Sequence, residues 1–481
     1  MTSADDTIPN IPATSQAWRT EFAETLRLAW PMALTQLGQI AMMTTDLAML
    51  GRLGSTVVAA ASLAHVIYFT AFVLGLGLVS AVAPLVAQAY GARQPRMMRR
   101  AVRVGIWLAI GLGVPFSFAQ RWSAEGLIAL GQAPEAAVLA ARYLEGLSWC
   151  LIPTWIFMAL RGFMAAVNRP APALWITLAA IPLNALLAYG LIYGAFGLPN
   201  LDVLGAGVAT TIINVLMCLA VIAVAYAQAP FKKYRVLGRF WRPDWPLMRQ
   251  LLAIGLPMSG AFLLEFGLFA AAALVMGRLG AMELAAHQIA LQVASIIFMV
   301  PFGISMAATV RVGQAVGRRD AQATRRAGLA ALVLGMAFMA SMVVLIILLR
   351  GQIPFWFLGE SAATAKPTID LAAQLLVVGA TFFIADGLQT VAAGALRGLN
   401  DTRVPLLFAA FSFWCIGFVC AYGLGLHSAL GAIGVWIGLA LGLTIYAGLL
   451  VWRFQSLTRR AYLPDIVADQ PPVRPLAGGE G

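Results

Sequence analysis

Long apolar runs, separated by short polar segments, fill this chain from about residue 26 to residue 454. A run of about 20 apolar residues is what a helix needs to cross a bilayer. Open sheet edges cannot face lipid, and a barrel would show short alternating segments, whereas these runs are continuous. Twelve spans fit: 26–50, 57–89, 100–120, 136–166, 172–195, 204–228, 248–276, 284–316, 325–350, 368–396, 404–426 and 430–454. The pattern predicts an all-α polytopic membrane protein with 12 transmembrane helices.

The pattern also repeats. Trp30-Pro31-Met32 returns 226 residues later as Leu256-Pro257-Met258, and Gly51-Arg52-Leu53-Gly54 as Gly277-Arg278-Leu279-Gly280. Gln88, Gly91 and Arg99-Arg100-Ala101 return as Gln314, Gly317 and Arg325-Arg326-Ala327 at the same shift. Ala159-Leu160-Arg161-Gly162 matches Ala395-Leu396-Arg397-Gly398 at a shift of 236, and Leu204-Gly205-Ala206 matches Leu430-Gly431-Ala432 at 226 again. Six spans per half give both halves one orientation, so the expected lobes are parallel pseudo-symmetric repeats with a pathway between them. The expected organisation is a leader at 1–25, a six-helix lobe at 26–228, a basic linker at 229–247, a second six-helix lobe at 248–454 and a tail at 455–481. The tail, with Pro471-Pro472 and Gly478-Gly479, reads as disordered.

Composition agrees: the chain is 61% hydrophobic and 11% charged, against about 25% charged in soluble proteins. The net charge of +12 does not point to nucleic acid, because of where the charge lies. Arg93, Arg96, Arg99, Arg100 and Arg103, then Lys232, Lys233, Arg235, Arg239 and Arg242, occupy alternate loops. So do Arg318, Arg319, Arg325 and Arg326, and finally Arg453, Arg459 and Arg460. This positive-inside pattern puts both termini in the cytoplasm of a cell with the protein in its inner membrane. The leader lacks the basic start and cleavage pattern of a signal peptide. Cys150, Cys218, Cys415 and Cys420 sit in apolar runs without metal spacing and read as buried thiols.

Several motifs together resemble the multidrug and toxic compound extrusion (MATE) family, in its NorM-type bacterial branch, over about residues 20–455. They are Trp30-Pro31 followed by Asp46, Pro257 followed by Glu265, Ala285-Ala286-His287-Gln288, and the run Arg311 to Gly317. Asp386 ahead of Ala393-Gly394-Ala395-Leu396-Arg397-Gly398 completes the set. Phe382 or Phe383 stands where several relatives carry a tyrosine. The resemblance implies two six-helix lobes around a V-shaped cleft, and export of organic cations coupled to entry of Na⁺ or H⁺. Small organic substrates, the coupling ion and the bilayer are then the partners, no cofactor is implied, and a monomer is expected.

Acids inside spans are costly and are functional candidates by default. Asp46, Glu265 and Asp386 are the deepest. At a rise of ~1.5 Å per residue, Glu265 lies ~24 Å from Arg249, Asp386 ~17 Å from Arg397 and Asp46 ~28 Å from Arg27. Glu265 and Asp386 are therefore expected to share a site in the second lobe, with Asp46 apart in the first. A hard cation such as Na⁺ takes oxygen ligands, which makes Glu265 and Asp386 candidate Na⁺ ligands. Without a metal, one of two repelling buried acids can hold the proton. The competing reading is that each acid only hydrogen-bonds a neighbouring helix. No arginine stands beside them at helical spacing, so no local ion pair is expected.

Further polar residues form a second tier. Asn184 and Asn214 are interhelical glue or line an Asp46 pocket. Gln288 and Gln389 can add neutral oxygens to the second site, and Gln389 shares a helix face with Asp386. His287 reads as a packing residue, with proton carrier as the alternative. Glu145 is expected to pair with Arg142. Arg161 and Arg397 read as cytoplasmic anchors or gate-stabilising charges. Pro31 and Pro257 are candidate bending points.

The function expected is a secondary exporter. A flippase for a lipid-linked saccharide is the alternative, but it calls for a basic central cavity. An enzyme is not expected: His65, His287 and His427 are scattered, and no P-loop points to ATP.

Overall fold

The computed structural model describes residues 14–464 apart from 130, 237, 239–240, 242–243 and 359–365. Residues 1–13 of the leader, Arg239 and Arg242 of the linker and the proline-rich tail from 465 lie outside the described residues. Helices supply the regular structure among those described.

In the first half, α1 (Thr14–Gly51) is followed by α2 (Ser55–Ser80), which runs on as α3 (Val82–Gly91). Next come α4 (Pro95–Ala119), the short α5 (Ser123–Ala129), α6 (Pro134–Leu147), α7 (Leu151–Ala166), α8 (Ala171–Tyr193) and α9 (Asp202–Ala227). The second half holds α10 (Trp245–Leu279), α11 (Ala281–Gly317), α12 (Ala321–Leu349), the short α13 (Gln352–Leu358) and α14 (Lys366–Gly398). It ends with α15 (Arg403–Ala409), a π-helical stretch Ala410–Phe418, α16 (Val419–Leu426) and α17 (Gly431–Arg459). Among the described residues ten helices are long and apolar enough to cross a membrane, and an eleventh span forms if α6 and α7, bent by 47° at their junction, count as one. The twelfth is α1. It has 38 residues, enough to cross by length. Its polar side chains Thr35, Gln36 and Asp46 lower its hydropathy but are buried in the protein.

The two halves cross about a pseudo-two-fold relation with the 226-residue shift. A Cβ on Gly77 would collide with the backbone of Ser259, and one on Gly303 with the backbone of Ala33. Gly303 and Ser259 lie 226 residues beyond Gly77 and Ala33. These four small residues let α2 approach α10, and α1 approach α11, at backbone contact.

Exposure along the crossing helices is one-sided. On α2 and α3 the last exposed residue is Thr70; on α11 it is Ile296, again 226 residues later. Beyond them both segments are covered as far as the basic loops. The lobes therefore meet at the basic end and part toward the other. Two ion pairs tie that closed end across the lobes: Arg311 to Glu21, with both nitrogen–oxygen distances 2.9 Å, and Arg100 to Asp244 at 2.6 Å.

One sequence match is corrected. The ends of α7 and α14 are equivalent at a shift of 232, not 236. Arg169 N–H donates to Met164 O and Asp401 N–H to Leu396 O, closing the same turn around the left-handed Asn168 (φ 60°) and Asn400 (φ 57°). Asparagine tolerates that conformation, which suits a helix end. The Ala-Leu-Arg-Gly match is thus one helical turn out of register, and Arg161 lies one turn deeper than Arg397.

Candidate functional site

In the first lobe Asp46, on α1 and 6% exposed, accepts hydrogen bonds from two other helices. Asn184 Nδ2 of α8 donates to Oδ1 at 2.7 Å, and Thr210 Oγ1 of α9 donates to Oδ2 at 3.0 Å. No basic side chain pairs with Asp46 among the described residues. The hydrogen bonds that hold the carboxylate come from neutral donors.

Asn214 does not reach Asp46. Its Nδ2 donates to Thr210 O at 2.8 Å, and its Oδ1 accepts from Thr154 Oγ1 at 3.0 Å. The chain of polar contacts continues to Cys150, whose Sγ lies 3.7 Å from Thr154 Oγ1 and accepts from Tyr68 O–H at 3.3 Å. Asp46 is thereby connected through α9 and α7 to α2, close to where α2 turns from exposed to covered. Thr210 was missed in the sequence, although it lies one turn before Asn214 and so on its face.

In the second lobe the two acids meet through one amide. Gln389 Nε2 donates to Glu265 Oε1 at 2.6 Å and to Asp386 Oδ1 at 3.0 Å. Glu265 comes from α10, Asp386 and Gln389 from α14. The remaining carboxylate oxygens and the Gln389 carbonyl are all hard oxygen donors of the kind a small cation takes. No group of three or more His, Cys, Asp or Glu side chains is arranged to hold a metal among the described residues, so any cation here would rest on two carboxylates and neutral oxygens.

The surroundings of this pair are built by the π-helical stretch and by aromatic packing. Trp414, within the stretch, donates its indole N–H to Leu264 O at 3.2 Å, next to Glu265. Phe382 packs against Phe269, Phe383 and Trp436 at centroid distances of 6.0, 5.6 and 5.2 Å. His287 is fully buried and accepts from Trp436 Nε1 at its Nδ1 at 3.1 Å, while its Nε2 has no partner among the described residues.

Three expectations need correction. Gln288 is exposed and outside the hydrogen-bonded cluster, because the helix turns its neighbour His287 inward instead. Glu145 and Arg142 are both exposed and form no ion pair among the described residues. The arginines Arg161 and Arg397 are not surface anchors. Arg161 is 2% exposed; Arg397 folds inward to stack on Phe262 at 4.7 Å, within Coulombic reach of Glu265 and Tyr446. Phe262 precedes Glu265 by three residues, so the guanidinium lies about one turn from the acid pair. Helical spacing from Asp386 could not reveal this, since Arg397 reaches back over a neighbouring helix.

A family model, MatE, matches residues 31–190 and again 257–423, the two halves described above. The chain is 61% identical over 457 residues to the "Probable multidrug resistance protein NorM" of Rhodopseudomonas palustris, covering 95% of this chain and 96% of that protein. It is 59% identical over 440 residues to the protein of the same name from Bradyrhizobium diazoefficiens, covering 92% and 94%. Among solved structures, an outward-facing multidrug resistance MATE family transporter of the MOP superfamily aligns with a TM-score of 0.82 at 21% identity, over 94% of this chain and 99% of that one. A eukaryotic MATE transporter aligns with a TM-score of 0.82 at 20% identity, over 92% and 99%. Matched twice by the family model and in sequence over nearly its whole length, the chain belongs to the MatE, or multidrug and toxic compound extrusion, family.

Proposed function

We propose that this protein is a monomeric secondary exporter that sends bulky, amphipathic or cationic organic compounds out of the cell in exchange for entering Na⁺ or H⁺. It sits in the cytoplasmic membrane with both termini and the basic loops inside. The observation that carries this reading is the presence of two separate buried carboxylate centres, one per lobe, each starting on the lobe's first helix. A coupling ion that neutralises Glu265 and Asp386 removes the repulsion between them and frees Gln389, which now bridges both. Asp46, held by Asn184 and Thr210, responds separately, so ion and organic substrate need not compete for one group.

The relatives' names support drug export, and the cleft parting away from the basic end suits a state open to the outside. A lipid-linked saccharide flippase would want an open cationic cavity. Arg161 is shut in by neighbouring side chains and Arg397 is covered by Phe262, so neither favours that reading. The test is transport of a fluorescent organic cation in proteoliposomes with Na⁺ and pH gradients imposed separately. Export driven by either gradient supports the reading; none with either overturns it.

A further inference from the structure

Arg161 is a buried cation with no anion paired to it among the described residues. It lies on α7, five residues before the last residue Ala166, hence ~7.5 Å inside the helix end. Its side chain crosses to the seam between lobes. Nη1 donates to Gln36 Oε1 of α1, Nη2 lies 3.9 Å from Met306 Sδ of α11, and Nε has no partner among the described residues. Three other arginines near the closed end lie beside carboxylates. Arg311 holds Glu21, Arg103 lies 3.8 Å from Asp244, and Arg453 holds Asp401 at 2.8 Å.

The position of this uncompensated charge matters. Gln36 and Met306 each lie three residues beyond Ala33 and Gly303, the pair that lets α1 and α11 cross at backbone contact. Arg161 is therefore sealed by the same crossing that closes the basic end. One neutral amide and a thioether replace the water that a guanidinium would otherwise hold, and that exchange is unfavourable. Parting the lobes at the basic end would let water return to it.

We propose that Arg161 is the residue that drives the basic end open again: its burial penalises the closed arrangement and so balances the inter-lobe pairs Arg311–Glu21 and Arg100–Asp244. It is a positioning residue for transport, acting on the equilibrium between the two access states. This rests on the alternating-access reading above. The reading supplies two states, and Arg161 sets their ratio.

The experiment uses the full chain in proteoliposomes, with Cys415 and Cys420 changed to serine. Spin labels at Arg96→Cys and Arg325→Cys, both exposed at the basic end on opposite lobes, report the distance between lobes. Arg161→Met should shift the population toward the short distance by about tenfold and slow export, while Arg161→Lys restores both toward wild type. Met306→Glu offers the missing carboxylate and should shift the population the same way as Arg161→Met, which keeps the test alive if that variant does not fold. Unchanged distance populations in Arg161→Met or Met306→Glu, or a shift toward the long distance, overturn the proposal. A wild-type protein with one distance under every gradient would instead overturn alternating access itself.

Discussion

Gln88 and Gln314, 226 residues apart, each cross the seam to cap the helix end of the opposite lobe. Gln88 Nε2 donates to Gly398 O at 2.9 Å, and Gln314 Nε2 donates to Ala166 O at 2.9 Å. The asparagines that end those helices complete the grip: Asn400 Nδ2 donates to Gln88 Oε1 at 3.0 Å, and Gln314 Nε2 also reaches Asn168 Oδ1 at 2.9 Å. Gln88→Ala leaves a buried carbonyl and an amide without these partners, which costs about 1–3 kcal/mol. Both Gln88→Ala and Gln314→Ala should lower the unfolding temperature in detergent, and by similar amounts because their contacts are equivalent. A thermal melt that moves for one and not the other would break the equivalence.

Asp46→Asn tests the first-lobe centre. The substitution keeps the volume but places an amide where Asn184 and Thr210 both donate, so a charge-assisted bond of about 1.5–3 kcal/mol is lost. Gradient-driven export should fall by about tenfold or more, with the protein still folded by size-exclusion profile. Full export across the pH range would show that Asp46 serves only packing.

Much of this was legible in the sequence, and the reasons are physical. The repeat is visible because close helix crossings demand small residues at fixed places, so Gly77 and Gly303 keep the register of the halves. Asp46, Glu265 and Asp386 stand out because an acid in an apolar run is costly enough to need a reason. The inward placement of Arg161 and Arg397 is not legible in the sequence, because a glycine and a polar turn after each look alike whether the side chain points to the surface or to a neighbouring helix. Gln389 stands out by its spacing to Asp386, whereas Thr210, and not Asn214 one turn later on the same face, reaches Asp46: which of two residues on one face reaches the acid depends on helix depth, and composition does not carry depth at that precision. The early start of α1 at Thr14 was hidden because Glu21 and its neighbours look like a solvated leader until Arg311 of α11 is placed beside them.

Gln389→Ala probes the second centre without removing a charge. It deletes the donor that now spans Glu265 and Asp386, so the two carboxylates lose their shared neutral bridge. The half-saturating concentration of the coupling ion should change by about tenfold, the scale of one bond to a charged group. Glu265→Gln and Asp386→Asn should each abolish coupling. Ion-dependence curves for transport separate these outcomes, and an unaltered curve for Gln389→Ala would remove it from the site.

The basic-end latch has a predictable pH dependence. The hydrogen bond from Arg100 holds the Asp244 carboxyl below its ordinary value; burial opposes this, and the Arg100 charge, Leu247 N–H and Arg103 add to the lowering. A depressed value in the folded protein means the stabilisation is fully present above the unfolded value of about 3.9 and is lost as pH falls through the lower folded value. Melting temperatures of wild type and Asp244→Asn should therefore differ by a constant amount from neutral pH down to about 5, begin to converge near about 4, and meet only below the depressed folded value. A gap that closes near neutrality would assign the stabilisation to another group.

Gly51 and Gly277 offer a direct test of how the far end moves. They occupy equivalent places at the ends of α1 and α10, both are exposed, and the lobes part on that side. A side chain is tolerated at each: a Cβ on Gly51 meets nothing within 4 Å, and one on Gly277 meets only Leu284 Cδ2 at 3.8 Å. Rocking of one lobe against the other should bring these ends together when the basic end opens. The Gly51→Cys, Gly277→Cys protein should then crosslink only in that state, lose export when crosslinked, and recover it on reduction. Crosslinks that form readily while export continues at the normal rate would rule out rocking for this protein, because a transporter tied at its far end could not return to the state described here.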